Sequence, residues 1–384
     1  MAGGHKHSGA KQARREARRR KARRRETVVQ ETPDEAPLID EVREALDGGQ
    51  PLDLLGLVSM LIVAATPQRF AALQPPEEER LPSLDELVAA FTEMESPETT
   101  ALLAALGELL VNEDVLRAQC RRAAQQRHDS LPGWLGDLAQ TRVYRAVRMT
   151  HVLGDGDELL LGVRLADGQE FTCAAYIDHL WMSEVKDAFF VPDSIDAVLA
   201  LATASNDDPD TSFAEVDPAD ARAGLQQALD HDLLPVAESD TWPSCRALVQ
   251  WLVTLMPPGG SVLSGLPRPD TEDVLNRFFA SPQGLPFTGG HRELLRLCIE
   301  DGTGDPVRWS EVRLQQLLSA AVDDVVSADV QLDLPDLLRA YVPFAHAEAG
   351  IRQELTAEAL AAIDDVADHY RAAVLEDEGG PASV

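Results

Sequence analysis

Apolar positions recur with a helical period in two long stretches of the chain and alternate with a period of two in one stretch between them. Residues 38–130 read as helical. Residues 52–65 are apolar almost throughout, the pattern of a buried helix. Ser83-Leu84-Asp85-Glu86 opens the next helix as a capping box, in which Ser83 bonds the Glu86 amide and Glu86 reaches back. Ser96-Pro97-Glu98 opens a third, with Ser as N-cap and Pro in the first turn, and that helix runs through Leu102-Leu103 and Leu109-Leu110. Over residues 113–127, Val115, Leu116 and Cys120 fall opposite Arg117, Arg121 and Arg122, as an amphipathic helix requires.

The period changes at residues 141–192. Residues 143–153, 158–165 and 170–177 predict three strands, joined by the turn Gly154-Asp155-Gly156-Asp157 and by an Asp167-Gly168 hairpin step. Residues 188–191 predict a short fourth. Helices return at 194–203, 218–230 and 243–256, with Ser205-Asn206-Asp207-Asp208-Pro209-Asp210 as an acidic loop between the first two. Pro257-Pro258-Gly259-Gly260 through Arg268-Pro269 marks the clearest interior boundary. Beyond it, helices are expected at 271–280, 292–300, 311–322, 334–349 and 356–375. The last places Leu360, Ile363, Ala367, Tyr370 and Val374 on one stripe.

The expected fold is therefore α+β and helix-dominant. A central antiparallel β-meander is flanked by helical N- and C-terminal parts and preceded by a disordered basic arm. The segmentation is 1–36 (arm and linker), 37–136 (helical), 137–256 (sheet plus helices) and 269–384 (helical). Residues 1–36 carry no apolar face to bury, and Thr32-Pro33-Asp34-Glu35-Ala36-Pro37 reads as the linker closing them. With 45% apolar and 26% charged residues in 384, the rest can build a substantial core. The longest apolar stretch, residues 54–65, is shorter than the roughly 20 residues a spanning helix needs, so no transmembrane segment is expected.

Charge divides the chain. Residues 1–25 hold eleven Lys or Arg and one acid, a net of +10; the remaining 359 residues hold 23 basic and 64 acidic, a net of −41. An acidic body avoids polyanions and a basic arm seeks them. Arg14, Arg15, Arg18, Arg19, Arg20, Lys21, Arg23, Arg24 and Arg25 are the candidate nucleic-acid contacts, acting collectively on phosphates. The arm lacks aromatic residues, so sequence-specific base reading is not supported. Residues 11–25 thus point to nucleic acid or a ribonucleoprotein. An acidic protein partner, an anionic membrane surface, or docking of the arm on its own body are the other readings.

The arginines are followed by Glu26-Thr27-Val28-Val29-Gln30 rather than an apolar run, so the N-terminus reads as carrying no secretory signal. Cys120, Cys173, Cys245 and Cys298 lie far apart in sequence and form no CxxC, the pattern of reduced thiols in a cytoplasmic protein.

Chemical motifs are few. No phosphate loop, GxGxxG, GxSxG or HExxH occurs, and no cofactor is implied. No metal site is expected: His5 and His7 are the only close histidines, the turn after Gly154 lacks the EF-hand pattern, and Asp207-Asp208 and Asp323-Asp324 have no further ligand at useful spacing. The densest cluster of reactive residue types is Asp178-His179-Leu180-Trp181-Met182-Ser183-Glu184-Val185-Lys186-Asp187. Lys186 is the only lysine after Lys21, and a desolvated lysine can act as base or nucleophile. Lys186, His179 and Asp187 are the candidate catalytic residues; a surface ion pair is the competing role for Lys186.

Pro51-Leu52-Asp53-Leu54-Leu55, Leu131-Pro132-Gly133-Trp134-Leu135, Asp178 with Val185-Lys186-Asp187-Ala188-Phe189, and Asp305-Pro306-Val307-Arg308-Trp309-Ser310 give the chain a resemblance, from about Leu52 onward, to a family of uncharacterised actinobacterial proteins. The resemblance implies no assigned activity. It agrees with the preference for Arg over Lys and the abundance of Ala, which a GC-rich coding sequence produces.

The leading expectation is a non-enzymatic cytoplasmic protein whose arm binds nucleic acid non-specifically, RNA favoured. The alternatives are a protein-interaction scaffold with an acidic body, and an enzyme with a site near His179 and Lys186.

Overall fold

The computed structural model describes residues 35–66, 82–205, 208–230, 239, 241–263, 265–287, 289–319 and 326–378. The chain is α+β and helix-dominant, with one five-stranded antiparallel sheet. It divides into two units. The first comprises the described residues up to Met149 together with Glu158–Ile177 and Glu184–Leu263. The second comprises Thr150–Asp157, Asp178–Ser183 and the described residues after Ser264. The division after Leu263 falls inside the Pro/Gly-rich stretch expected to be a boundary. Regions 37–136 and 137–256, separate in the sequence segmentation, share one hydrophobic core in the first unit.

The first unit opens with helices α1 (Glu35–Gly48), α2 (Pro51–Ala65), α3 (Leu84–Glu93), α4 (Pro97–Leu109) and α5 (Asp114–Gln126). Helix α1 starts at Glu35, inside the expected linker, because Pro37 falls in the first turn, where its missing N–H costs nothing. Both halves of the Ser83/Glu86 capping box form. Arg127, just past α5, donates through Nη2 to the carbonyls of Phe91 and Thr92 at the end of α3, and through Nη1 to Thr99 and Thr100 in α4. Val115, expected on the apolar face of α5, is exposed, whereas Leu116 and Cys120 are buried.

After the short helix α6 (Gly133–Gly136) come strands β1 (Arg142–His151), β2 (Gly156–Arg164), β3 (Glu170–Asp178) and β4 (Glu184–Val191). They form the expected meander. Then follow α7 (Ile195–Ser205), β5 (Thr211–Val216), α8 (Pro218–Asp230) and α9 (Trp242–Leu255). Strand order is β4-β3-β2-β1-β5, so β5, absent from the sequence reading, pairs with β1 at the sheet edge. Arg145 of β1 holds Glu215 of β5 and Asp196 of α7. Both sheet faces are covered. Leu159, Leu161, Phe171 and Cys173 enter the helical core with α2, α4 and α9; Val147, Leu160 and Ala174 pack with Ile195 of α7 on the other side. This double burial explains the near-continuous apolar run in β2.

The second unit contains α10 (Thr271–Ala280), α11 (Gly289–Glu300), α12 (Glu311–Ser319), α13 (Ala328–Leu332), α14 (Leu334–Ala349) and α15 (Gln353–Glu378). Its core is built on Phe278, Trp309, Tyr341 and Tyr370, with Phe278 and Trp309 each edge-on to Tyr341. The α15 stripe is as expected: Ile363, Ala367, Tyr370 and Val374 are buried and Leu360 packs partly against the core.

Candidate functional site

The arm residues Arg14, Arg15, Arg18, Arg19, Arg20, Lys21, Arg23, Arg24 and Arg25 lie outside the described residues, as do His5, His7, Asp207, Asp323 and Asp324. Lys186 is exposed on β4. Asp187 is buried in the first unit and accepts hydrogen bonds from Ser239 (2.7 Å) and Thr241. Ser239 in turn accepts from the amide of Trp242 at the start of α9. Asp187 thereby organises a helix N-terminus. His179 has different partners, all in the second unit.

Those partners follow from strand register. Leu165 N–H donates to the Gln169 carbonyl at the Asp167-Gly168 turn, and ten residues further along each strand His179 N–H donates to the Asp155 carbonyl at 2.8 Å. The pairing between β2 and β3 therefore runs without a bulge, and it places His179 opposite Asp155 and diagonal to Asp157. The β1–β2 turn needs Gly154, whose φ is +69° and whose amide closes onto the His151 carbonyl at 2.9 Å. After β3, Asp178 Oδ1 accepts from the Leu180 amide at 2.9 Å, starting a turn that puts Met182 and Ser183 in the left-handed region at φ +48° and +56°. Two successive non-glycine residues there, one of them Met, is a costly conformation.

The result is a linked chain of side chains. His179 Nε2 lies 2.7 Å from Asp157 Oδ2 and its Nδ1 lies 3.0 Å from Ser183 Oγ. The second oxygen of Asp157 accepts from Thr150 Oγ1 at 2.7 Å. Asp157 is buried, His179 mostly so, and Ser183 partly open. Trp181 and Met182 on the same turn are exposed, at 43% and 60%. The geometry fits a histidine that donates from Nε2 to the buried carboxylate and accepts at Nδ1 from the serine hydroxyl.

Beside this chain sits a second cluster in the same unit. Burial pushes the Asp155 carboxyl up to about 6, against the opposing pull of a Ser310 hydrogen bond and the Arg313 charge. Arg313 is buried. Its Nη1 donates to the carbonyls of Asp305 (2.8 Å) and Arg308 (2.6 Å), its guanidinium lies over the Trp309 ring at 3.9 Å, and burial lowers its pKa to about 10. Nε and Nη2 find no acceptor among the described residues. Arg308 holds the β1–β2 turn: Nε donates to the Val152 carbonyl (3.1 Å) while Nη1 reaches the Pro267 carbonyl (3.0 Å) and Asp305 (2.7 Å).

Sequence reading found His179 but grouped it with Lys186 and Asp187. Asp157 and Ser183 were missed. The Asp167-Gly168 turn carried the signal for Asp157, since it sets the register; Ser183 reaches His179 only through a left-handed turn that contains no Gly or Asn to announce it.

Among the described residues no helix is long and apolar enough to cross a membrane. All four cysteines are free, and Cys120, Cys173 and Cys298 are buried. No family model, no curated protein and no solved structure matches the chain.

Proposed function

We propose that this is a cytoplasmic polyanion-binding protein of a GC-rich bacterium, in which residues 11–25 neutralise phosphates on nucleic acid, RNA favoured. The observation that carries the reading is the segregation of charge, +10 in the first 25 residues against −41 in the rest. The body repels a polyanion and the arm attracts it, so contact falls to Arg14, Arg15, Arg18, Arg19, Arg20, Lys21, Arg23, Arg24 and Arg25. Arginine supports this role because its forked donors pair with phosphate oxygens and its plane stacks on unpaired bases. A scaffold role has less to rest on: large exposed apolar residues such as Met60 of α2, Val115 of α5 and Leu285 of the loop after α10 are scattered along the chain.

The test compares the full chain with a chain lacking residues 1–30, on mixed-sequence RNA and duplex DNA across a salt series. The full chain is expected to bind with a log–log salt slope of roughly −0.7 to −0.9 per phosphate neutralised, and the shortened chain to lose both the affinity and the slope. Equal binding by the two chains, or none by either at low salt, would overturn the reading.

A further inference from the structure

We infer that Ser183, His179 and Asp157 form a serine-nucleophile site that hydrolyses neutral esters with an apolar acyl group. The inference does not rest on the arm's role. Three features of the site suit acyl transfer by serine. The first is a continuous relay: Ser183 Oγ is 3.0 Å from His179 Nδ1, and His179 Nε2 is 2.7 Å from Asp157 Oδ2. An imidazole held by a carboxylate on one nitrogen is fixed in the tautomer that takes a proton on the other. The second is graded burial. Asp157 is enclosed and anchored by Thr150, His179 is mostly covered, and Ser183 is partly open, so the base is desolvated while the nucleophile can be approached. The third is the placing of Ser183, at φ +56°, as the last residue of the exposed turn between β3 and β4. The clasp between the two hairpin tips is the His179–Asp157 contact, and Ser183 bonds the opposite nitrogen of the same ring.

The substrate class follows from the surroundings. Trp181 and Met182 offer exposed apolar surface on the same turn. Asp155, Asp157 and Asp178 are offset in part by Arg308 and the buried Arg313 beside them, so the neighbourhood favours no ionic group and suits a neutral substrate. In the reaction, Ser183 Oγ bonds to the ester carbonyl carbon as its proton passes to His179 Nδ1. The adduct then breaks its bond to the leaving alkoxide, which takes that proton and departs as an alcohol. Water repeats the sequence on the acyl-serine, releasing a carboxylic acid and restoring the hydroxyl. Asp157 stays ionised and holds the Nε2–H throughout.

The experiment treats the full chain with a fluorophosphonate probe and with p-nitrophenyl butyrate, and maps the modified residue by peptide mass spectrometry. Modification is expected at Ser183. Ser183→Ala should abolish it, and His179→Asn should slow it by roughly 100-fold or more, with esterase turnover falling in parallel. Because His179→Asn also removes the clasp, Ser183→Cys supplies a second readout: iodoacetamide should alkylate Cys at this position as a thiolate well below the pH of an ordinary thiol. Failure of the probe to modify Ser183, an unchanged rate in folded His179→Asn, or an ordinary thiol pH profile in Ser183→Cys would overturn the proposal and leave the three residues as a turn clasp.

Discussion

Asp155 and His346 set opposite pH responses within the same unit. Asp155 titrates near 6 in the folded chain because burial outweighs its favourable neighbours. A carboxyl raised above its ordinary value holds its proton more tightly when folded, so its contribution falls as pH rises from about 4 to 6, by up to about 3 kcal/mol. His346 is buried, with Nδ1 2.9 Å from Thr356 Oγ1 and Nε2 3.1 Å from the Trp309 carbonyl, and burial lowers it to about 4. Its contribution is full above about 6.5 and is lost as pH falls toward 4, again by about 3 kcal/mol. The two slopes oppose each other. Asp155→Asn is expected to steepen the loss of stability on acidification relative to the parent chain, and His346→Gln to flatten it, both read from denaturant unfolding at intervals between pH 4 and 7. Parallel pH profiles for the parent and both variants would contradict this account.

At the scale of elements, the loops that carry the site depend on a few contacts made over long sequence distances. Arg308 joins the β1–β2 turn, the 267 loop and Asp305 through one guanidinium. Arg308→Ala leaves the buried Asp305 without its ion pair and is expected to cost about 3–5 kcal/mol; Arg308→Lys keeps the charge, cannot fork, and should recover only part of that in the same unfolding assay. Gly284 follows α10 so closely that a Cβ there would lie 2.2 Å from the Phe278 carbonyl oxygen. Gly284→Ala should lower stability by about 1–3 kcal/mol or more, visible as a reduced melting temperature. These same distances decide what the sequence revealed. Helices with strong local signals, such as the Ser83 capping box and the α15 stripe, were legible because their determinants lie within a few residues. Strand β5 was not, since Thr211–Val216 is short, half-exposed and stabilised by β1 some 65 residues earlier in sequence. The αL turn at Met182 was invisible for the reason that no local residue favours it.

For the whole molecule, the main core of each unit is built from its own residues, which predicts two calorimetric transitions rather than one, with the Gly284→Ala effect confined to one of them. A single transition displaced as a whole by Gly284→Ala would show that the cores unfold together. The described body is strongly acidic, so both transitions should rise with added salt as self-repulsion is screened. Combined with the two proposals, the charge division suits an arm that sets where the protein resides and a body that acts on small neutral molecules there. The first proposal rests on composition alone; the second needs three residues that lie apart in the chain to be seen together.

The second unit is assembled from pieces made at different times. Residues Thr150–Asp157 and Asp178–Ser183 leave the ribosome long before Arg313, which is encoded about 130 residues after Ser183. At about 5–20 residues per second, the interval is on the order of ten seconds. During it Asp155 has neither Ser310 nor Arg313 beside it, and a nascent chain that already contains Asp157, His179 and Ser183 lacks the helices that complete their unit. The order of synthesis therefore leaves the second unit incomplete until nearly the whole polypeptide has been made.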